Sequence, residues 1–319
     1  MIFRNIFSAS LMLALSAAGC SAQDNKTQTT QAQTTQAQTV QAQATQTLAK
    51  AETVSPTTAK VFPETAWRDV DPENLVYIDT DYGRIFVELF PEIAPAHVER
   101  IKTLTRQKFY DFITFHRVIE GFMNQTGDPK GDGTGDSDLP DLEAEFEFRR
   151  SPDMAVTLFD ERAASPNDPN SVAGVGFYNG LPIASQQSGA AILTKDGKVR
   201  AAGLHCKGVT SMARSSDPNS ANSQFFLMRG TADHLNGTYT VWGNTVHGHE
   251  ILTQIKVGVA GQGNFVPDRM NKVQIAADIN AAERVDVQIM DTNSAAFKAY
   301  LKTQKKADGT YPDLSLIHI

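Results

Sequence analysis

From about residue 61 onward the chain is a succession of short apolar runs separated by Gly, Pro, Asn and Asp. Residues 75–80 and 84–89 flank Asp81-Tyr82-Gly83 and predict a hairpin. Residues 112–117, 208–213, 225–228 and 240–243 read as further strands, and residues 273–279 and 284–291 as the strands that close the set. Apolar positions fall at helical spacing over residues 94–106, behind Pro91 and Pro95, and over residues 249–255 and 293–306. Successive side chains alternate across a strand, so Phe225 is assigned to the core and Phe226 to the opposite face. Many antiparallel strands with few helices predict a mainly β fold. The expected form is a closed antiparallel β-barrel with flanking α-helices, because closure removes exposed edges.

One stretch does not fit a compact barrel. Residues 149–204 would be an unusually long structureless connection, so a folded insertion is expected within a domain of residues 61–292. Inside it, residues 192–199 carry Asp196-Gly197 between apolar positions and read as a hairpin. Residues 293–319 are assigned to a C-terminal helix and tail.

The N-terminal sixty residues follow another pattern. Arg4 precedes an apolar run over residues 6–18, and Gly19-Cys20 follows it. The run is too short for a stable membrane span and reads as a signal peptide, residues 1–19. A cysteine directly after small residues resembles the processing site of bacterial lipoproteins, although Ala17 stands where Leu is usual. That resemblance implies lipidation of Cys20 as the first residue of the mature chain, and Ser21 after it points to the outer membrane; the expected location is the periplasm, anchored to the cell envelope. An ordinary signal peptide cut nearby is the alternative. Residues 20–60 are rich in Gln, Thr and Ala and contain the near-repeat QTTQAQTTQAQTVQAQATQ. So little apolar surface cannot offset chain entropy, so a disordered tether is expected. About forty residues of flexible coil reach roughly 35 Å.

Charge and cysteine content narrow the function classes. The net charge of −7 becomes −8 when the one positive charge of Arg4 leaves with the signal, and an acidic chain argues against nucleic acid. Cys20 and Cys206 are the only cysteines, so lipidation of Cys20 rules out an intramolecular disulfide, and Cys206 is expected as a small buried residue. No zinc spacing of Cys and His occurs, and neither metal nor cofactor is expected. Residues 131–136 alternate Gly with Asp and Thr but lack the full EF-hand loop, and their acids suit neither a phosphate cradle nor a Rossmann turn.

The candidate chemistry gathers in three segments: residues 115–128, FHRVIEGFMNQTGD; Ser211-Met212-Ala213-Arg214; and Ser223-Gln224-Phe225-Phe226. These residue types suit rotation about an X-Pro bond. Amide resonance sets a barrier of about 18–20 kcal/mol, and the two isomers exchange over tens to hundreds of seconds. No bond breaks, so a donor aimed at the prolyl nitrogen suffices: it holds the lone pair as the amide twists and acts most strongly in the transition state. Arg117 stays charged and offers several fixed donors, Phe122, Met123, Phe226 and Leu235 suit a proline ring, and Gln125 suits the flanking carbonyl.

Taken in this order, the segments resemble the cyclophilin family of peptidyl-prolyl isomerases. The resemblance implies a cyclophilin-like barrel and a groove lined by His116, Arg117, Phe122, Met123, Gln125, Ala213, Gln224, Phe226 and Leu235, with Arg117 catalytic. His116 either orients its neighbours or touches substrate. The sequence departs from familiar members at Arg214, where many have Asn, at His234, where some have Trp, and at Tyr239, where some have His; all three are assigned to the groove. The Gly-rich segment 131–136 is then a wall of that groove rather than a calcium site. The resulting expectation is a monomeric, lipid-tethered isomerase that acts on proline-containing unfolded or partly folded envelope proteins. The alternative is a non-catalytic module of the same fold that binds peptides without turning them over, and the intact Arg117 and Gln125 favour the enzyme.

Overall fold

Strict alternation of side chains organises the main sheet. The computed structural model describes residues 62–161 and 174–306. Its strands are β1 (Trp67–Asp69), β2 (Leu75–Thr80), β3 (Gly83–Leu89), β4 (Arg117–Ile119), β5 (Met123–Thr126), β6 (Phe148–Arg150), β7 (Thr157–Glu161) and β8 (Gly174–Tyr178). They continue with β9 (Leu181–Ser185), β10 (Val199–Gly203), β11 (Val209–Met212), β12 (Phe225–Met228), β13 (Val241–His247), β14 (Gly258–Val259), β15 (Lys272–Ile275) and β16 (Gln288–Met290). The helices are α1 (Pro95–Arg106), α2 (His249–Gln254) and α3 (Ala295–Gln304). Nine strands form one antiparallel sheet in the order β14-β4-β5-β12-β11-β13-β3-β2-β15. Val76, Ile78, Ile85, Val87, Phe225 and Trp242 turn to one face, where α1 and α2 cover them with Val98, Ile101, Leu104, Ile251 and Leu252. The intervening residues turn the other way: Leu75, Tyr77 and Phe86 into one small cluster, and Met123, Phe226, Met228 and Val241 into another. Phe225 and Phe226 therefore divide between two cores, as the alternation predicts.

The predicted 75–80/84–89 hairpin is present, and the three helices fall within a residue or two of their predicted spans at most ends. Helix α1 begins at Pro95 without a side-chain cap of its own. Glu145 supplies it from elsewhere in the chain, accepting the backbone N–H groups of Ala96 at 3.2 Å and His97 at 3.1 Å, so its negative charge sits at the helix N-terminus. Helix α3 packs on the insertion, burying Phe297 and Leu301 with Phe177.

Several predicted strands are reshaped. Residues 112–116 are not a regular strand: Phe112 has φ +65°, and the segment is held by single backbone bonds, Phe112 N–H to Met270 at 2.7 Å and Phe115 N–H to Asp268 at 2.8 Å. With the isolated bridge Thr114–Arg269, these bonds tie the chain ahead of β4 to the chain ahead of β15. No continuous ladder joins the edge strands β14 and β15 among the described residues. The segment 284–291 does not close the sheet. Only β16 is strand, and it pairs with β1 as a separate ribbon, while Val285 is held by the Tyr77 hydroxyl. After Ile275 the chain turns into a 3-10 helix, Ala276–Asp278, rather than continuing as strand.

The insertion is a folded antiparallel sheet of its own, in the order β6-β10-β9-β8-β7. The hairpin expected at residues 192–199 is absent. Ser188–Leu193 is a 3-10 helix with Ile192 and Leu193 exposed, and Val199 pairs with Arg150 instead. Arg149 competes for the turn: its guanidinium bonds to the Asp196 carboxylate and to the Lys198 carbonyl, both at 2.6 Å through Nη2. Phe148, Leu181, Ile183 and Ala201 join Met123, Phe226 and Leu235 in one cluster, so the insertion braces the sheet behind the candidate groove. Cys206 is buried in the same cluster. Cys20 and the remainder of residues 1–61 lie outside the described residues.

Candidate active site

Register across the sheet assembles the site. Arg117 on β4 lies opposite Gln125 on β5, Gln125 opposite Phe226 on β12, and Phe226 opposite Ser211 on β11. Directly opposed residues share a face, so this row sets a cation, an amide and an aromatic ring side by side. Gly121, at φ +68°, makes the tight connection that brings β5 back along β4.

The polar atoms of the row run in one direction. Arg117 Nη1 donates to Gln125 Oε1 at 3.1 Å, and Gln125 Nε2 donates to Gln224 Oε1 at 3.1 Å. Gln224 Nε2 donates in turn to the carbonyls of Gly133 at 3.2 Å and Gly135 at 2.9 Å. Guanidinium can only donate, so both amides must orient this way. The chain of bonds fixes one edge of the guanidinium to the Gly-rich loop. The Asp128 carboxylate shapes that loop by accepting the N–H groups of Lys130 at 2.7 Å, Asp132 at 2.9 Å and Gly133. Arg117 has no carboxylate partner among the ion pairs of the described residues.

Beside Arg117 opens a cavity of about 150 Å³. The buried Met123, Phe226 and Leu235 form its floor, and Phe122 and Tyr239 its sides. Gln125, Ala213 and Arg214 complete the lining. Arg214 is spent on its surroundings: Nε and Nη2 donate to Thr238 O, Nη1 to Ser215 O, and the guanidinium lies 4.5 Å from the Tyr239 ring. A second cavity, of about 320 Å³, shares Gln125, Ala213 and Arg214 and is also lined by Gln224.

Most of the expected groove residues come together, and two do not. His116 is 3% exposed and packs beneath Gly133 rather than lining either cavity. Its neighbour Arg117 takes the groove side, which turns the imidazole to the opposite side of the chain. Burial holds the His116 pKa below its ordinary value, with Asp128 partly opposing. His234 is exposed outside the cavity lining and lies against the Phe122 ring, centroids 5.8 Å apart. The 3-10 helix Asp233–Leu235 turns Leu235 inward and leaves His234 at the rim. Gln224 reaches the second cavity and not the first.

The sequence reading missed His205. Fully buried, its ring stacks against Phe226 at 6.1 Å and meets Tyr239 edge-on at 6.4 Å. Nε2 lies 3.0 Å from Ser211 Oγ and Nδ1 3.1 Å from Asn236 Oδ1. Burial pushes its pKa down to about 4. No local motif marks it, because its partners come from three separate segments. Asp141 was also missed as a cavity residue, whereas the segment 131–136, expected as a groove wall, supplies Gly133, Thr134 and Asp136 to the second cavity. Among the described residues no group of three or more His, Cys, Asp or Glu side chains is placed to hold a metal ion, and no helix is long and apolar enough to cross a membrane.

Comparison with known proteins bears on this geometry. Residues 75–277 match the family model described as cyclophilin type peptidyl-prolyl cis-trans isomerase/CLD. A probable peptidyl-prolyl cis-trans isomerase of Brucella suis is 36% identical over 221 residues, covering 65% of this chain and 85% of its own. An Arabidopsis thaliana peptidyl-prolyl cis-trans isomerase is 29% identical over 205 residues, 64% of this chain and 96% of its own. The crystal structure of a cyclophilin from Hirschia baltica superposes with a TM-score of 0.69 at 34% identity, covering 79% of this chain and 92% of that one.

Proposed function

The chain belongs to the cyclophilin-type peptidyl-prolyl cis-trans isomerases, and from that premise we propose that it turns over X-Pro bonds through Arg117, on unfolded or partly folded proteins of the cell envelope. The observation that carries the mechanism is the one-way chain of bonds from Arg117 through Gln125 and Gln224 to the Gly133 and Gly135 carbonyls. Arg117 also lines the 150 Å³ pocket, and with Nη1 turned to Gln125 and Met123 its Nε and Nη2 are the donors left for a substrate. A proline ring seated on Met123, Phe226 and Leu235 brings its nitrogen beside those donors. As the amide twists, the nitrogen lone pair leaves conjugation and becomes an acceptor, so the bond to Arg117 strengthens in the transition state. Gln125 is the positioning residue. Both ends of its amide are engaged, and its part is to hold the guanidinium rather than the substrate carbonyl.

The test is a proline-peptide isomerisation assay on the parent and Arg117→Ala chains. Losing one preorganised donor lowers kcat/KM about 10²–10³-fold. Parental turnover in a folded Arg117→Ala protein would sink this mechanism.

The envelope location rests on Gly19-Cys20 at the end of the apolar run and on the Gln/Thr/Ala-rich segment after it. Acylation at Cys20 would hold the domain at the membrane firmly only with more than one chain attached. Cys20→Ser should move the protein from the membrane to the soluble fraction. Equal partition of parent and variant would leave an ordinary signal peptide.

A further inference from the structure

A third cavity, of about 550 Å³, opens between β7 of the insertion and helix α3, and it shares no residue with the groove. Leu158 and Phe159, half-buried on the edge strand β7, form its apolar wall with the buried Leu301 of α3. The other side is cationic. Lys298 and Lys302 are exposed and stand one turn apart on the same face of α3. The lysines that form ion pairs among the described residues are Lys102 and Lys256, so neither of these two is neutralised. Among the described residues no carboxylate lines the cavity.

A buried charge stands behind the same wall. Arg150 is fully buried, with Nε donating to Ser185 Oγ at 2.8 Å and Nη2 to Gln186 O at 3.0 Å and Ser188 Oγ at 3.1 Å. Its Nη1 has no hydrogen-bond partner, and no ion pair of the described residues includes it. Burial holds its pKa below the ordinary value. Ser188 lines the cavity, and since its oxygen accepts from Arg150, its own proton is left to donate. The Thr157 hydroxyl, by contrast, is committed to the Thr292 carbonyl at 2.7 Å. Two ammonium groups and one hydroxyl, with a guanidinium behind it, thus meet at an apolar wall without a counter-charge. Such a buried cation is unfavourable, and an anion beside it would offset part of that penalty.

We propose that this cavity binds a single amphiphilic anion, its carboxylate or phosphate head held by Lys298, Lys302 and Ser188 and its apolar tail laid against Leu158, Phe159 and Leu301. An inorganic anion would satisfy the charges and leave the apolar wall against water. A neutral apolar ligand would cover the wall and leave the charges unanswered.

The experiment is a calorimetric titration of the full chain carrying Cys20→Ser, so that it has no acyl group of its own. Decanoate below its micelle concentration should bind saturably at a single site. Decanol keeps the tail without the charge and should bind about 3- to 30-fold more weakly, the scale of two solvent-open ion pairs. Lys298→Gln/Lys302→Gln should lose the same factor for decanoate and nothing for decanol, at an unchanged thermal midpoint. Raising ionic strength from about 0.05 to 0.5 M should narrow the gap between acid and alcohol. Vesicles of phosphatidylcholine, with and without phosphatidylglycerol, distinguish the source. Co-sedimentation with the anionic vesicles alone, lost in the double variant, makes the ligand a membrane lipid; saturable decanoate binding without it makes the ligand a free amphiphile. Equal affinity for acid and alcohol, undiminished decanoate binding in the folded double variant, or binding to neither decanoate nor anionic vesicles overturns the proposal. Where the double variant does not fold, the alcohol comparison and the salt series decide.

Discussion

The two neighbouring cavities are built from opposite materials. The smaller has an apolar floor and, in Arg117, a guanidinium whose edge is fixed by a directional chain of bonds. The larger has polar walls that bring Asp136 and Asp141 together with Arg214. A group that must act on a twisting amide needs a fixed position, and cross-strand register provides one. The larger cavity is built from loops instead, and the difference can be tested by perturbing each side alone.

The largest expected effect is on the smaller cavity. Arg117→Ala should lower kcat/KM for a proline peptide by about 10²–10³, whereas Asp141→Asn, which alters the larger cavity alone, should leave it near the parental value. An equal fall in both variants would show that the two cavities act as one.

Next in size is a pH effect on the support of the smaller cavity. His205 titrates at about 4 in the folded protein against 6.5 in the unfolded chain. Between these values the unfolded state binds more protons, so stability is complete above pH 6.5 and is lost as pH falls toward 4. The loss approaches roughly 3 kcal/mol at about 1.36 kcal/mol per unit. The buried His116 acts in the same direction. Asp136 has the opposite sign: its raised pKa makes its contribution more favourable as pH falls, and its exposure keeps that contribution small. Chemical denaturation from pH 4 to 8 should show the slope in the parent and a shallower one in His205→Gln. Equal slopes would mean that His205 does not govern the window. Turnover per folded molecule should be nearly flat from pH 7 to 9, because arginine does not titrate there.

The smallest effect concerns the bond that positions the guanidinium. Gln125→Leu keeps the size of the side chain and removes the link between Arg117 and Gln224. Losing about 0.5–1.5 kcal/mol of orientation predicts a fall of about 3- to 10-fold, mainly in kcat. A change confined to KM would make Gln125 a substrate contact instead.

Legibility followed the distance over which each feature is encoded. Arg117, Phe122, Met123 and Gln125 were readable because one hairpin carries all four. The turns of His116 and His234 were not legible, because which way each side chain points depends on the irregular segment ahead of β4 and on the 3-10 turn at Asp233–Leu235. The insertion was recognisable as folded from its length. Its pairing was not, since Arg149 and β6 compete with the local Asp196-Gly197 hairpin.

By itself the sequence determined the family, the mainly β architecture, the division of Phe225 and Phe226 between two faces, and most of the residues that the structure gathers around the smaller cavity. These follow from period-two alternation and a contiguous motif, both of which act through near neighbours along the chain. Only the tertiary structure decided that Gln125 is bound at both ends, that His205 supports Phe226 and Tyr239, and that Asp141 joins the 131–136 segment around the larger cavity. Each of these depends on segments far apart in sequence. Hydrogen-bond satisfaction and the local electric field are set by what folding brings within a few ångströms, and that proximity is written in no single segment.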